Sequence, residues 1–368
     1  MKKNLLRASL LLPASLLVTV ALLLPSHSFT QQQTSSSTTE IILDDGGDTS
    51  GGSTAMNGDS KVILNDGISG GSTDGGTTTS QPKPTTTGGG GPEAIAFDGT
   101  YVWITRQFRN AVTRVRARDG AKGGTFTVGS SPSAVAFDKT NVWVANLGSN
   151  NVMKLRVDGT ILGTYAVGTA PGGLAFDGTN IWVANREDNT VTKLRAKDGV
   201  NLGTFAVGRR PVGITTEGTN IWVVNNFGNS VTKLRASDGF NLGTFAVGKG
   251  PFGAASDGTH IWVTNFFANT VTKLRASDGF NLGTYPIGGE PAGITYDGST
   301  LWIANSGSNT VTRLRAVDGS TLGVYSVGRG PFGVVYDGSS MWSANFGSDS
   351  VSTTAIVATS PTTLTANE

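Results

Sequence analysis

Residues 171–208 read PGGLAFDGTNIWVANREDNTVTKLRAKDGVNLGTFAVG, and the same pattern returns about every 40 residues from Pro92 to about Ile356. Seven copies are present, each with one tryptophan: Trp103, Trp143, Trp182, Trp222, Trp262, Trp302 and Trp342. Four strands can be read in this copy: A from Gly173 to Phe176, B from Asn180 to Ala184, C from Thr190 to Ala196, and D from Gly203 to Val207. Asp177-Gly178 and Asp198-Gly199 fall at the A–B and C–D connections, where Asp-Gly supplies the positive φ of a tight reverse turn. Alternation in strand B sets Ile181 and Val183 on one face and Trp182 and Ala184 on the other, both apolar, so each blade is covered on both sides. A fixed period with four short strands per unit predicts an all-β fold, a seven-bladed β-propeller of four-stranded antiparallel blades.

The repeats claim most of the 368 residues as one closed object, and the 52 glycines suit many tight turns rather than helices. A net charge of +2 is too small for bulk attraction to nucleic acid or membrane, so any electrostatic function depends on where charges cluster. Lys2, Lys3 and Arg7 precede an apolar run from Ala8 to Leu24 and small residues at Ser26 and Ser28, which reads as a secretory signal peptide. The alternative is an uncleaved anchor, since the run is near the lower length for a span. These features predict a secreted, periplasmic or cell-surface protein. The chain has no cysteine, so its stability rests on packing and ring closure rather than disulfides. The expected divisions are a leader at 1–28, a Ser/Thr/Gly-rich disordered tether at 29–84, the propeller at 85–358 and a tail at 359–368.

Complete D strands occur only six times, so one blade lacks its own outer strand. Thr85 to Thr87 stands in register to complete it and hide an exposed edge, with Pro361 to Thr365 as the alternative. Two apolar islands interrupt the tether, Ile41 to Gly46 and Val62 to Gly67. They read as strand-and-turn relics, because Asp44, Asp45, Asp48 and Asp66 lack the spacing of a calcium loop.

The stretch from Val223 to Gly253, with Asn225, Phe227-Gly228-Asn229, Val231, Val247-Gly248, Gly250-Pro251 and Gly253, resembles the YVTN-type β-propeller repeat. Trp262-Val263-Thr264-Asn265 is similar to its naming tetrapeptide. The resemblance implies the fold across all seven copies and leaves function open, since such propellers include envelope, surface and DNA-binding proteins. A second similar family is virginiamycin B lyase, whose resemblance implies a histidine base and magnesium.

Strand direction sorts the loops onto two faces. The A–B and C–D turns form one, rich in aspartate and in strand-C basic pairs such as Lys193/Arg195 and Lys233/Arg235. Those heads are expected to meet the turn carboxylates in a repeated salt-bridge ring. The D–A and B–C loops form the other, where the copies diverge, and the expected ligand-binding residues are Arg106, Phe108, Arg109, Asn146, Asn185, Arg186, Arg209, Arg210, Asn225, Phe227, Lys249, Asn265, Phe266, Asn305, Arg329 and Asn345. Amides, guanidinium groups and phenyl rings together suit hydrogen bonding and stacking of an anionic polymer or glycan, with nucleic acid or a protein as other partners. The asparagines have a plainer use as loop residues that bond the backbone.

Catalysis has less support. The two histidines are His27, in the leader, and His260, at the aspartate-rich face, and the acids near the divergent loops are Glu93, Glu187, Asp188, Glu290 and Asp349. The chain thus departs from the lyase pattern, its own residues point to no catalytic residue, cofactor or metal, and a closed ring points to a monomer. The expectation is an exported binding module, the alternatives being a small-substrate lyase or lactonase and a purely structural surface protein.

Overall fold

The structure, a computed structural model, describes residues 38–43, 61–64 and 90–355. The leader, Thr85 to Thr87, the tail at 359–368 and the rest of the tether lie outside the described residues. The strands form six four-stranded sheets and one five-stranded sheet. Blades 1 to 6 span 92–127, 132–166, 171–206, 211–246, 251–286 and 291–326, and blade 7 contributes three strands from 331–355. In blade 3, strand A is Pro171–Phe176, B is Asn180–Asn185, C is Thr190–Arg195 and D is Asn201–Ala206, antiparallel throughout. Among the described residues no helix is long and apolar enough to cross a membrane.

The glycine of the Pro-x-Gly pattern explains how the A strands crowd the axis. A Cβ at Gly253 would stand 2.6 Å from the Ala292 carbonyl oxygen of the next blade, and Gly173, Gly213, Gly293 and Gly333 meet the following A strand in the same way. The seven tryptophans are the largest fully buried side chains. Trp182 packs toward blade 4 against Ile221, Val223 and Leu234, while Ile181 and Val183 pack toward Trp143 and Val152 of blade 2. This is the two-sided alternation read from strand B. Aromatic D-strand residues complete six of these contacts, with ring centroids 5.6 Å apart for Trp182 and Phe205.

The aspartate-rich face is knitted into this packing. Six indoles donate from Nε1 to the carboxylate of the A–B turn, as in Trp182 to Asp177 at 2.7 Å. Blade 4 has Glu217 at the turn instead, and the buried Trp222 Nε1 has no hydrogen-bond partner. The longer side chain turns to Asn220, at 3.2 Å. Glu217→Asp is therefore expected to stabilise the protein by about 1 kcal/mol, the net worth of one recovered hydrogen bond. Matched urea melts check this, and an unchanged midpoint would show that the turn in blade 4 holds its acid out of reach.

The same turns make the fold acid-sensitive. Burial raises the Asp257 and Asp297 carboxyls, but hydrogen bonds from the neighbouring indoles, backbone amides and hydroxyls outweigh it and hold both at about 2. A carboxyl lowered on folding stabilises the protein above its unfolded value and ceases to do so as it protonates in the folded state. Stability is expected to decline as pH falls from about 4 to about 2. Asp297→Asn should flatten part of that decline in melts taken across the range.

Of each strand-C basic pair, the second residue behaves as expected. Arg195 bonds Asp198 at 2.8 Å, and the equivalent pairs recur in the blades beside it. The first residue departs from the salt-bridge expectation except in blade 6, where Arg313 lies 3.8 Å from the Asp297 carboxylate. Lys193 Nζ lies 5.2 Å from the Trp182 ring centroid and donates to the Ala236 and Ser237 carbonyl oxygens of the next blade. Lys154, Lys233 and Lys273 repeat this inter-blade staple.

Ring closure corrects the sequence reading. The outer strand of blade 7 is β1, Thr38–Leu43, from the island read as a relic within the tether. It pairs antiparallel with Ser350–Ala355, placing Ile41 opposite Val351 just as Phe205 lies opposite Val191 in blade 3. Ile41 thus takes the place of the D-strand aromatic, and it is buried with Leu43 against Val102, Val115 and Trp342. The second island forms β2, Lys61–Leu64, parallel to β1 with Ile41 beside Val62.

Candidate functional site

Each B strand but the first ends in asparagine, and each B–C loop but the last carries an asparagine in the left-handed region. The left-handed asparagines cap the next blade's D–A loop, as when Arg210 N–H donates to Asn189 Oδ1 at 2.8 Å. The strand-end asparagines face inward. Asn185 donates to the Thr190 and Thr192 hydroxyls, and the same arrangement holds Asn225, Asn265, Asn305 and Asn345. Asn146 bonds Asn151. All six are 0% exposed. The expected ring of ligand-binding amides is therefore a structural ring.

Both positions change at the seam between blades 7 and 1. Arg106 replaces the strand-end asparagine and Asp349 the left-handed one, and the two meet at 2.9 Å. Arg106 also donates to the Leu43 carbonyl oxygen, and Asp349 accepts from Gly90 N–H. At 1% exposure Arg106 is a latch on the closing strand, which removes it from the ligand-binding set.

What remains on the divergent face is still basic and aromatic. Arg109, Arg209, Lys249 and Arg329 are exposed and form no ion pair among the described residues. Arg210 lies over the Phe227 ring at 4.4 Å and within 4.0 Å of Glu187. Phe108, Phe346, Phe332, Phe252, Phe266 and Phe267 form a connected arc, with successive centroids 5.3 to 6.0 Å apart. Phe252 and Phe332 were not singled out from sequence. Their signal is that both occupy the second A-strand position, where blade 3 has Gly172 and blade 6 has Ala292.

That position rings the central channel, where a cavity of about 190 Å³ opens. Its lower wall is apolar, from Ile95, Val135, Leu174, Ile214, Ile294 and Val334. Two charged groups enter it, Glu93 of blade 1 and Arg186, which extends from the blade 3 B–C loop. Gly172 makes this reach possible, because a Cβ there would overlap the Arg186 Nε. Glu93 and Arg186 approach to 3.6 Å at 12% and 15% side-chain exposure. Burial pushes the Glu93 carboxyl up, outweighing the opposing charge of Arg186. One Glu93 oxygen and Arg186 Nε are buried without hydrogen-bond partners.

Among the described residues no three histidine or carboxylate side chains converge as a metal-holding group. His260 lies on the opposite face, with Nδ1 3.0 Å from Asp257. Asp188 and Asp349 are engaged with Thr169 N–H and with the seam.

No family model matches the sequence, and no curated protein matches it. Solved structures do match. A streptogramin B lyase superposes with a TM-score of 0.64 at 21% identity, covering 72% of this chain and 93% of the other. Virginiamycin B lyase from Staphylococcus aureus gives 0.65 at 20% identity over 74% of this chain and 97% of the other. Kuenenia stuttgartiensis hydrazine synthase gives 0.66 at 20% identity over 76% of this chain and 99% of the other. At these identities the likeness is one of fold, and it places the chain among seven-bladed β-propellers.

Proposed function

We propose that the protein is an exported binding module whose D–A and B–C loop face receives an anionic polymer, with an anionic glycan the favoured class. The supporting observation is the contrast between the strand-C cations and the cations of the loop face. On the aspartate-rich face the strand-C cations meet turn carboxylates or carbonyl oxygens. On the loop face Arg109, Arg209, Lys249 and Arg329 have no ion pair among the described residues and stand around exposed phenyl rings that suit stacking of sugar faces. A surface selected only for stability has no need to strand like charges together.

The test is binding of the purified chain to anionic glycan, peptidoglycan fragments and single-stranded nucleic acid at two salt concentrations, beside an Arg209→Ala/Lys249→Ala/Arg329→Ala variant. Glycan binding that weakens with salt and falls at least tenfold in the variant is expected. Tighter binding of nucleic acid would reassign the polymer class, and no binding by either protein would move the reading to a structural surface protein.

A second reading, a lyase for small cyclic substrates, draws on the fold likeness to streptogramin B lyase and on Glu93. A carboxyl raised by burial at a channel mouth is suited to proton transfer nearer neutral pH. Turnover of a cyclic depsipeptide that is lost in Glu93→Gln would favour it.

A further inference from the structure

The channel beneath the loop face has a composition that polymer binding does not use. A polymer on the rim would touch the exposed cations and phenyl groups, whereas Arg186 and Glu93 project into the open channel cavity below it. At about 190 Å³ this cavity is below the roughly 300–1,000 Å³ of drug-sized sites and holds the volume of about six waters. We propose that it binds a small monoanion with an apolar body, such as an aryl carboxylate, whose carboxylate pairs with Arg186 and whose body packs against Ile214, Ile294, Val334, Phe252 and Phe332. The site is distinct from the rim of the proposed polymer surface and does not depend on it.

Three observations carry this. First, Arg186 is a prepared side chain: Gly172 leaves the space its guanidinium occupies, and the arginine crosses past blade 2 to reach the carboxylate of blade 1. Second, its present partner is a poor one. At 3.6 Å the pair lies beyond hydrogen-bonding distance, and Arg186 Nε is buried without an acceptor, a costly state for a guanidinium. A ligand carboxylate would supply two acceptor oxygens in the planar, forked geometry that arginine matches. Third, aliphatic and phenyl side chains line the wall between Ser133 and the A-strand glycines, and they reward a ligand with an apolar body.

The sign of the ligand follows from which partner yields. Arginine stays charged throughout the accessible range, whereas a carboxyl is neutralised by one proton. Arg186 is the charged group acting on Glu93, and the adjoining A strands present Ser133 and Phe332 beside it. With burial already favouring the protonated acid, an entering anion releases Arg186 and Glu93 takes up one proton from solution. The exposed cations of the rim raise the local concentration of anions at the mouth. An ammonium ligand would instead have to strand Arg186 in the channel beside it.

The experiment is isothermal titration calorimetry of the full chain with benzoate, benzamide and benzylamine at pH 5 and pH 8. Wild type, Arg186→Gln, Arg186→Lys and Glu93→Gln are compared, each checked for a native melt. Benzoate is expected to bind at least tenfold more tightly at pH 5 than at pH 8, and benzamide and benzylamine at least tenfold more weakly than benzoate. Arg186→Gln should abolish binding, Arg186→Lys retain part of it, and Glu93→Gln bind benzoate at both pH values without the pH dependence. Equal binding of benzamide, preferred binding of benzylamine, undiminished binding by Arg186→Gln, or no benzoate binding by folded wild type would each overturn the proposal. The Arg209→Ala/Lys249→Ala/Arg329→Ala variant should still bind benzoate, so failure of the polymer reading and failure of this one are separable.

Discussion

Replacing Ile41 and Leu43 together with alanine should unfasten the seventh blade and remove most of the protein's stability. Both side chains are 2% exposed and pack into the cluster that joins blade 7 to blade 1. Truncating a buried isoleucine or leucine costs roughly 2–5 kcal/mol, and a folded domain has only about 5–15 kcal/mol in total. The two residues share one cluster, so their losses will not be strictly additive. Their effect exceeds that of an ordinary cavity because β1 is a strand on which closure depends. Without it Ser350–Ala355 presents an unpaired edge, and the blade 1 face that Ile41 covers is opened. Urea denaturation of the double variant, with hydrogen exchange followed at Val351 and Val102, reads both consequences. A loss below about 1 kcal/mol would mean that the ring holds without β1.

The second large effect is at Arg106 and Asp349. Arg106→Ala removes a 1% exposed guanidinium and leaves Asp349 and the Leu43 carbonyl oxygen without that donor. Breaking a buried pair costs roughly 3–5 kcal/mol, and with Asp349 one-fifth exposed the expected loss is about 2–4 kcal/mol. Asn occupies both positions at the other seams, so Arg106→Asn/Asp349→Asn should be more stable than either single change. A double-mutant cycle gives the coupling directly, with about 1.5 kcal/mol or more expected. A coupling near zero would leave the seam to hydrophobic packing alone.

These two effects sit where the sequence was least legible. The period and the Asp-Gly turns gave away the architecture because both are local: a turn needing positive φ and a strand alternating every second residue are written in adjacent letters. Ile41 carries no such label. An apolar hexapeptide inside a polar tether looks the same whether it closes a ring or does nothing, and its pairing with Val351 joins residues about 310 positions apart. Arg106 was misread for a related reason. Its departure from the repeat was visible, but a departure marks a ligand site or a seam equally well until Asp349 and Leu43 are seen beside it.

The candidate site divides in the same way. The basic and aromatic bias of the loop face was legible because loop residues that differ between copies stand out against the repeat. The inward turn of the six strand-end asparagines was not, because it depends on which of two sides of a strand end meets the threonines of strand C. The Glu93–Arg186 pair depends on ring curvature bringing blade 3 across to blade 1 over the space left by Gly172.

By itself, then, the sequence determined the repeat, the number of blades and the face on which the copies differ, since these follow from local periodicity and turn chemistry. The tertiary structure alone decided which strand closes the ring, which polar residues are buried at the seams and which charges share the channel. Each of those depends on circular closure, which sets residues from opposite ends of the chain side by side and assigns inside and outside to side chains that look alike in one dimension.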